Sequence, residues 1–423
     1  MSESVPLAYA DIKILEIEGP TVAGHTCKVV RVAAPGVDFD QLFENIASRI
    51  ESVPELRWKL GGDPAAPAWV PDMDFRLDRH LVNHLDSAPV PADDLTSVVG
   101  ALFAERLDRA HPLWRIDVVR LDDGGSALIW RIHHALADGT TAMRFAREML
   151  WVEPETPASA AAKKLGPTKT READNARRRA HLVKLFEHEF TRTREPSPFD
   201  GQIGSLREIA LSSISLGELH DSAKAACGAT LNDGVLSVVA GALRHWMEVH
   251  HEHHLGEVRV KVPVSLHHGD DDAGNRDSFF LVPLPLNEGD PVERLREIHE
   301  ETLERKTDHE AEELDTLLQR LGKTSTRLQK YYSNFQADPR RFALNVSNVR
   351  GPHTDVTVLD LPVESVHSIA EIGERHALRI AVVSLGDQLC FGFCADPELV
   401  TDLEVMAEGV EIEADRLAAA VRP

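Results

Sequence analysis

The 423-residue sequence is poor in cysteine, in aromatic side chains and in positive charge. Its four cysteines, Cys27, Cys227, Cys390 and Cys394, are too few and too scattered for a disulfide framework and are expected to be reduced structural residues. Cys390 and Cys394 fall within CFGFC, which reads as a strand, and four steps of about 3.3 Å hold the sulfurs too far apart to share one zinc. Lys and Arg number 46 against 69 Asp and Glu, and a formal charge of −23 repels phosphate backbones, so nucleic acid is not an expected partner. No stretch approaches the roughly 18 uninterrupted apolar residues of a spanning helix. The opening MSESVPLAYADIKILEIEG carries acids where a secretory signal carries a basic flank and an apolar run, so the expected address is cytoplasmic. Walker and GxGxxG loops are missing, which removes support for nucleotide hydrolysis and dinucleotide redox chemistry, and no GxSxG elbow offers a hydrolase nucleophile.

What is present is the composition of an ordinary globular protein, 43% hydrophobic and 27% charged, in a chain long enough for two packed domains. CKVVRVA reads as a strand and residues 38–50 as a helix, with Leu42, Phe43, Ile46 and Ile50 at helical spacing. The Pro-, Asp- and Trp-rich stretch 54–92 favours ordered loops and short edge strands, and a helix is expected from Asp93 or Asp94 to Leu107. IDVVRL and ALIWRI, separated by DDGGS, form a hairpin signal, and TTAMRFAREMLW reads as a helix. Residues 155–204 differ: Lys163 to Arg194 hold ten Lys or Arg against four Asp or Glu, a local +6. They read as a crossover linker with one basic helix over 177–190, or as a patch for an anionic lipid surface or a phosphorylated ligand. Beyond it come a short helix, a long helix starting near Asn232 or Asp233, strands in VRVKVPVSL and FFLVPLPL, and a charged helix from Pro291. FALNVSNV, LRIAVVSL and QLCFGFCA read as strands, and a last helix follows Asp402. The expected organisation is an α/β protein with an N-terminal domain over 1–154, the crossover over 155–204 and a C-terminal domain over 205–423.

The string His133-His134-Ala-Leu-Ala-Asp138-Gly139 stands where a strand runs into a turn, a place where a rigid sheet holds a side chain and a loop exposes it. Histidine accepts and returns a proton near neutral pH, which suits a general base acting on a hydroxyl. Neighbouring strand residues point to opposite faces, so His133, His134 and Asp138 do not converge as metal ligands, while a purely structural histidine pair stays open. The denser tract of His250, His251, His253 and His254 sits beside Glu248, Glu252 and Glu257 and reads as a solvated helix end.

HHALADG, together with DIKILEIE, DFRLDRHLVNH, HPLWRIDVVRL, TLNDGVLSVVAGALR, VPVSL followed by Gly274-Asn275, and NVSNVRGP, resembles the bacterial wax ester synthase/acyl-CoA:diacylglycerol acyltransferase family along nearly the whole chain. The resemblance implies two chloramphenicol-acetyltransferase-like domains, each α/β in two layers, with the site in a tunnel between them. It implies that His134 is the general base, with His133 and Asp138 beside it, Asp138 ordering the loop through an ion pair and Gly139 permitting a tight turn. Asn232 matches an asparagine near the reacting centre, and Glu18 an N-terminal carboxylate lining the site. Trp114, Asp233 and Asn348 complete the expected substrate-facing set, with packing the competing reading for Trp114 and a structural role for Asp233.

The implied co-substrate is acyl-CoA, with no permanently bound cofactor and no metal. The implied acceptor is a fatty alcohol or a diacylglycerol, met at a membrane or lipid-droplet surface. Arg350 within SNVRGP, Ser384-Leu385 in the C-terminal strand and TVAGHT before the first strand depart from the family pattern and touch acyl and alcohol selectivity. Two other functions fit the same motif: acyl transfer onto a polyketide or peptide intermediate, and a silent lipid-binding scaffold.

Overall fold

The computed structural model describes residues 4–63, 66–154, 197–250, 256–265, 277–307 and 341–422. The expected basic helix over 177–190, most of the crossover, and His251, His253 and His254 lie outside the described residues.

In chain order the elements of the first part are β1 (Val5–Pro6), α1 (Tyr9–Ile17), β2 (His25–Val32), α2 (Phe39–Arg49), β3 (Trp58–Asp63), β4 (Ala66–Pro71), β5 (Leu81–Asn83), α3 (Leu95–Ala104), β6 (Trp114–Arg120), β7 (Ser126–His133) and α4 (Gly139–Met149). The second part holds β8 (Glu208–Ser215), α5 (Leu216–Cys227), α6 (Leu231–Val249), β9 (Glu257–Ser265), β10 (Asp277–Pro285), α7 (Pro291–Thr307), β11 (Leu344–Val349), β12 (Thr357–Val358), β13 (Leu361–Ala370), β14 (Leu378–Leu385), β15 (Gln388–Ala395) and α8 (Leu403–Val421).

Local chemistry sets the ends of these elements. The Asp38 carboxylate accepts the Gln41 N–H and starts α2. Thr230 and Asp233 form a reciprocal capping box, so the cap of α6 is Thr230, two or three residues before the Asn232 or Asp233 expected. Gly228, in the left-handed region at φ 77°, stops α5. Helix α1 and strand β13 have no counterpart in the sequence reading. DIKILEIE has few acids on a separable face, and the polar Glu364, Ser365, His367 and Ser368 mask the strand character of β13.

Two six-stranded mixed sheets dominate, ordered β12-β13-β2-β7-β6-β5 and β10-β9-β11-β14-β15-β8, with a small β1-β4-β3 sheet at the side. The expected IDVVRL/ALIWRI hairpin is the antiparallel β6/β7 pair of the first sheet, with β5 outside β6 at its edge. The sheets do not follow the expected division at 154 and 205: β12 and β13, from the C-terminal part, pair into the first sheet, β13 running antiparallel to β2. The physical reason is packing. Strand β13 pairs with β2 through its edge while lying across β14 and β15 of the second sheet. Both large cores are therefore shared. Cys27, Val29, Phe103 and Ile129 of the first part pack with Val239, Leu284, Ile380 and Phe391, and Val383, Leu385 and Cys390 join Val30, Trp130 and Phe145.

The crossing is close enough to need a glycine. A Cβ on Gly392 would stand 2.2 Å from the Ser368 carbonyl oxygen and 2.7 Å from Ile369 Cδ1. No single described helix is long and apolar enough to cross a membrane; α5 and α6 together pass by composition, but they meet at 95° and α6 is mostly buried. Replacing Gly392 with alanine should lower the unfolding free energy by about 1–3 kcal/mol through overpacking at the sheet crossing. Urea denaturation checks this, and an unchanged midpoint would mean that the strands can separate freely there.

Candidate active site

Strand β7 ends on His133, and the hydrogen bonds around that residue leave its ring no freedom. Its N–H donates to the Leu113 carbonyl at 2.9 Å, and its own carbonyl accepts from Leu136 and Ala137. The Ala135 N–H donates to Nδ1 at 3.1 Å, so Nδ1 carries no hydrogen, and Nε2, 3.2 Å from Glu18 Oε2, is the protonated nitrogen. Glu18 is pinned in turn by Arg109, whose Nε donates to the same oxygen at 2.9 Å. Burial pushes the Glu18 carboxyl up, but the hydrogen bonds from His133 and Arg109 outweigh it and hold the group below the usual carboxylate range. Glu18 thus sits behind the first histidine, clamped between α1 and the 106–109 loop.

His134 is different. Its N–H donates to the Gly24 carbonyl at 3.0 Å, which ties the turn after β7 to the segment that enters β2. Among the described residues its Nδ1 is closed off from solvent with no hydrogen-bond partner, while the residue as a whole is half-buried. Burial lowers its pKa from the ordinary 6.5 to about 4; the Arg379 guanidinium adds to this, and the residue's own main-chain carbonyl and Asp138 oppose it. The ring is neutral at pH 7.

Gly24 is a site residue that the sequence reading missed. It takes φ 73°, and a Cβ there would lie 2.8 Å from His133 Nε2. The only signal was a lone glycine just before a strand, in the TVAGHT departure.

The other expected residues divide. Asp138 does order the loop, but as the N-cap of α4, its Oδ1 accepting the Thr141 N–H at 2.7 Å, and among the described residues it forms no ion pair. Gly139 is needed for closeness and not for a turn conformation: it is the first residue of α4, and a Cβ would meet Val349 Cγ2 of β11 at 2.7 Å. The motif loop therefore touches the second sheet. Asn348, next to Val349, is exposed. Ser384 Oγ accepts the Gly351 N–H at 3.1 Å, so the Arg350 turn and the Ser384-Leu385 strand end, two of the departures, are one local structure.

Asn232 is half-buried in the first turn of α6, without a hydrogen bond to its side chain among the described residues. Asp233 is not substrate-facing: it is fully buried, accepting from Thr230, from His299 Nδ1 at 2.8 Å and from Thr302 at 2.7 Å, and it locks α6 to α7. Trp114 is not substrate-facing either. It is buried, donates from Nε1 to the Leu56 carbonyl at 2.6 Å and stacks on His80, while Leu113 of the same segment holds the backbone of His133.

With this geometry in view, comparisons with known proteins place the chain. The wax ester synthase/diacylglycerol acyltransferase catalytic domain matches residues 7–190, and the WS/DGAT C-terminal domain matches residues 273–417. The chain belongs to the wax ester synthase/diacylglycerol acyltransferase family.

A Mycobacterium tuberculosis relative that bears a diacylglycerol O-acyltransferase name is 27% identical over 95% of this chain and 88% of its own length. The wax ester synthase/diacylglycerol acyltransferase of Marinobacter aquaeolei VT8 superposes with a TM-score of 0.73 at 22% identity, covering 99% of both chains. The starter condensation domain of rhizomide synthetase, solved with C8-CoA, superposes with a TM-score of 0.60 at 16% identity, over 99% of this chain and 94% of that one. These likenesses show the expected two-lobed α/β fold, and family membership makes the chain an acyltransferase. Among the described residues no group of three or more His, Cys, Asp or Glu converges as a metal site.

Burial of neutral histidines gives this family member a pH-dependent stability. Burial lowers His25 to about 3 and His80, His134 and His367 to about 4, so between pH 6.5 and 4 the unfolded chain binds protons that the folded chain refuses. Their contribution is complete above pH 6.5 and is lost as pH falls toward 4. Asp11, raised by burial to about 6, and Glu371, also raised, act in the opposite sense and are outnumbered. Urea midpoints should therefore fall between pH 7.5 and pH 5; equal midpoints would contradict the burial of these rings in neutral form.

Proposed function

We propose that the protein transfers an acyl group from acyl-CoA to the hydroxyl of a lipid alcohol, a fatty alcohol or a diacylglycerol, with His134 as general base in a ternary complex. The observation that carries this reading is the contrast between the two histidines. Both ring nitrogens of His133 are engaged, whereas His134 presents a neutral, unpartnered ring beside the point where the motif loop meets β11 of the second sheet.

In this reading His134 takes the hydroxyl proton while the oxygen attacks the thioester carbonyl, and the imidazolium then protonates the departing CoA thiolate. No acyl-enzyme forms. The thioester is already activated, so the protein supplies proximity, a positioned base and stabilisation of the tetrahedral oxyanion. A base with a low resting pKa is compatible with this chemistry, because the negative charge that develops on the reacting carbonyl stabilises the imidazolium as the proton arrives. His133, Glu18 and Arg109 act behind the base by holding the backbone from which it projects. Asp138 fixes the start of α4, and Asn232 and Asn348 remain proposed contacts for substrate, the first at a helix start and the second on an exposed strand end.

With palmitoyl-CoA and hexadecanol, or with dioleoylglycerol in place of the alcohol, CoA release followed by a thiol reagent should fall by about 10²–10⁴-fold in His134→Ala. Thermal stability should hold, because no hydrogen bond from the ring to another residue is lost. Undiminished turnover by the pure variant would refute the assignment. In the wild type the acid limb of kcat/KM should lie near pH 4, where His134 protonates, and not near the ordinary 6.5. A limb at pH 6.5 would mean that a different histidine is the base.

A further inference from the structure

The loop between α1 and β2, residues 18–24, governs where the histidine motif sits. The Gly24 carbonyl receives the His134 N–H at 3.0 Å, and a Cβ on Gly24 would meet His133 Nε2 at 2.8 Å and Glu18 Cγ at 3.4 Å. The loop leans on the second half of the chain. The Ala23 N–H, one residue before Gly24, donates to Glu371 Oε2 at 2.8 Å, and the Thr21 carbonyl accepts from Arg207 Nη2. Glu371 and Arg207 are both buried and bound to each other, Nε to Oε1 at 2.8 Å.

Both side chains are themselves fixed. Glu371 follows Ala370, the β13 residue that pairs with Thr26 of β2, and its Oε1 also accepts the Ile372 N–H at 3.0 Å. Arg379 of β14 donates to the Glu371 main-chain carbonyl at 2.9 Å. Arg207 enters β8 of the second sheet, and its own carbonyl lies 2.5 Å from where a Cβ on Gly100 of α3 would stand. Each group that bonds the carboxylate is a donor, and without it the buried Ala23 N–H has no acceptor among the described residues. Neither Glu371 nor Arg207 bonds to a ring of the histidine pair. Their reach to the site is through the main chain.

We infer that Glu371, held by Arg207, is a positioning residue for the acyl transfer: it fixes the Ala23–Gly24 peptide and, through the Gly24 carbonyl, the place of His134. This rests on the reading of His134 as base. Proton transfer needs the base aligned with the attacking hydroxyl, and a displacement of about 1 Å costs on the order of 10²-fold in rate. The groups that bind substrate stay where they are, so kcat depends on Glu371 and KM does not.

The test compares two double variants of the full-length enzyme, Arg207→Met/Glu371→Met and Arg207→Met/Glu371→Gln. Both lack the two charges, and they differ in whether residue 371 can accept from Ala23. With palmitoyl-CoA and hexadecanol, kcat of the Met/Met variant should fall by about 10–10²-fold while KM for palmitoyl-CoA stays within about threefold. Hydrogen exchange of the amides over 22–25 and 133–136 should quicken. The Met/Gln variant should regain most of kcat and the slower exchange. Arg294→Met breaks another buried pair, Arg294 with Glu413 between α7 and α8, and should leave kcat near wild type. Three results overturn the inference: a folded Met/Met variant with kcat within about threefold of wild type, a Met/Gln variant no better than Met/Met, or an equal fall of kcat in Arg294→Met. If the Met/Met chain does not fold, Glu371→Asp carries the test, since it keeps the charge and withdraws the carboxylate by one methylene. Its kcat should drop at unchanged KM, and an undiminished kcat overturns the inference. An inactive His134→Ala beside a fully active Met/Met variant sinks this inference alone, whereas a fully active His134→Ala sinks the reading on which it stands.

Discussion

The crossing of β13 over β14 and β15 is the constraint on which the site depends. Because β13 pairs with β2 through its edge and presses its backbone against Gly392 of the other sheet, the two sheets cannot slide or part without breaking a ladder or opening a core. That closeness brings the turn after β7 against β11 at Gly139 and Val349, and sets Lys28 and Ser368 of one sheet near Arg379 of the other. A site assembled from β2, β7, β11 and β14 draws on strands far apart in the chain. Its geometry is as rigid as the shared cores.

Within this frame the adjacent histidines have opposite fates for a simple reason. The pleat turns one ring toward Glu18 and the main chain, where both nitrogens are used, and the turn that follows carries the other into a region without partners. Engagement fixes the tautomer of His133 and makes it a brace. Lack of engagement leaves His134 neutral and available. The Gly24 carbonyl, accepting from the backbone of His134, and the Leu113 carbonyl, accepting from that of His133, hold the two residues from either side.

Three acidic groups near the site are capped or clamped, Asp138 by the start of α4, Glu18 by Arg109 and His133, and Glu371 by Arg207, whereas burial and the nearby Asp138 raise Asp11 to about 6. Lys28 is buried on Ser368 Oγ with Asp138 acting on it, and Arg379 is half-buried with Glu371 acting on it.

Much of this was legible in the sequence, and the limits of legibility have physical causes. Helical spacing and strand alternation were enough for α2, β6, β7, β14, β15 and α8, because those elements bury a regular face. The HHALADG string, with the motifs before and after it, pointed to the family and to a reactive histidine at a strand end. Roles that depend on a neighbour were not readable in this way. Trp114 and Asp233 share motifs with the site yet are held by Leu56 and by His299 and Thr302, contacts that no local pattern encodes. Gly139 looked like a turn residue and is instead a clearance for β11, and β13 was hidden because its buried polar residues are satisfied by partners on other strands, Ser368 by Lys28 of β2 and His367 by Ser213 of β8. The sequence by itself determined the elements, the motif and the family. Only the tertiary structure decided which histidine is free and which carboxylates brace, because both are set by hydrogen-bond partners and desolvation between segments that meet only when the two sheets cross.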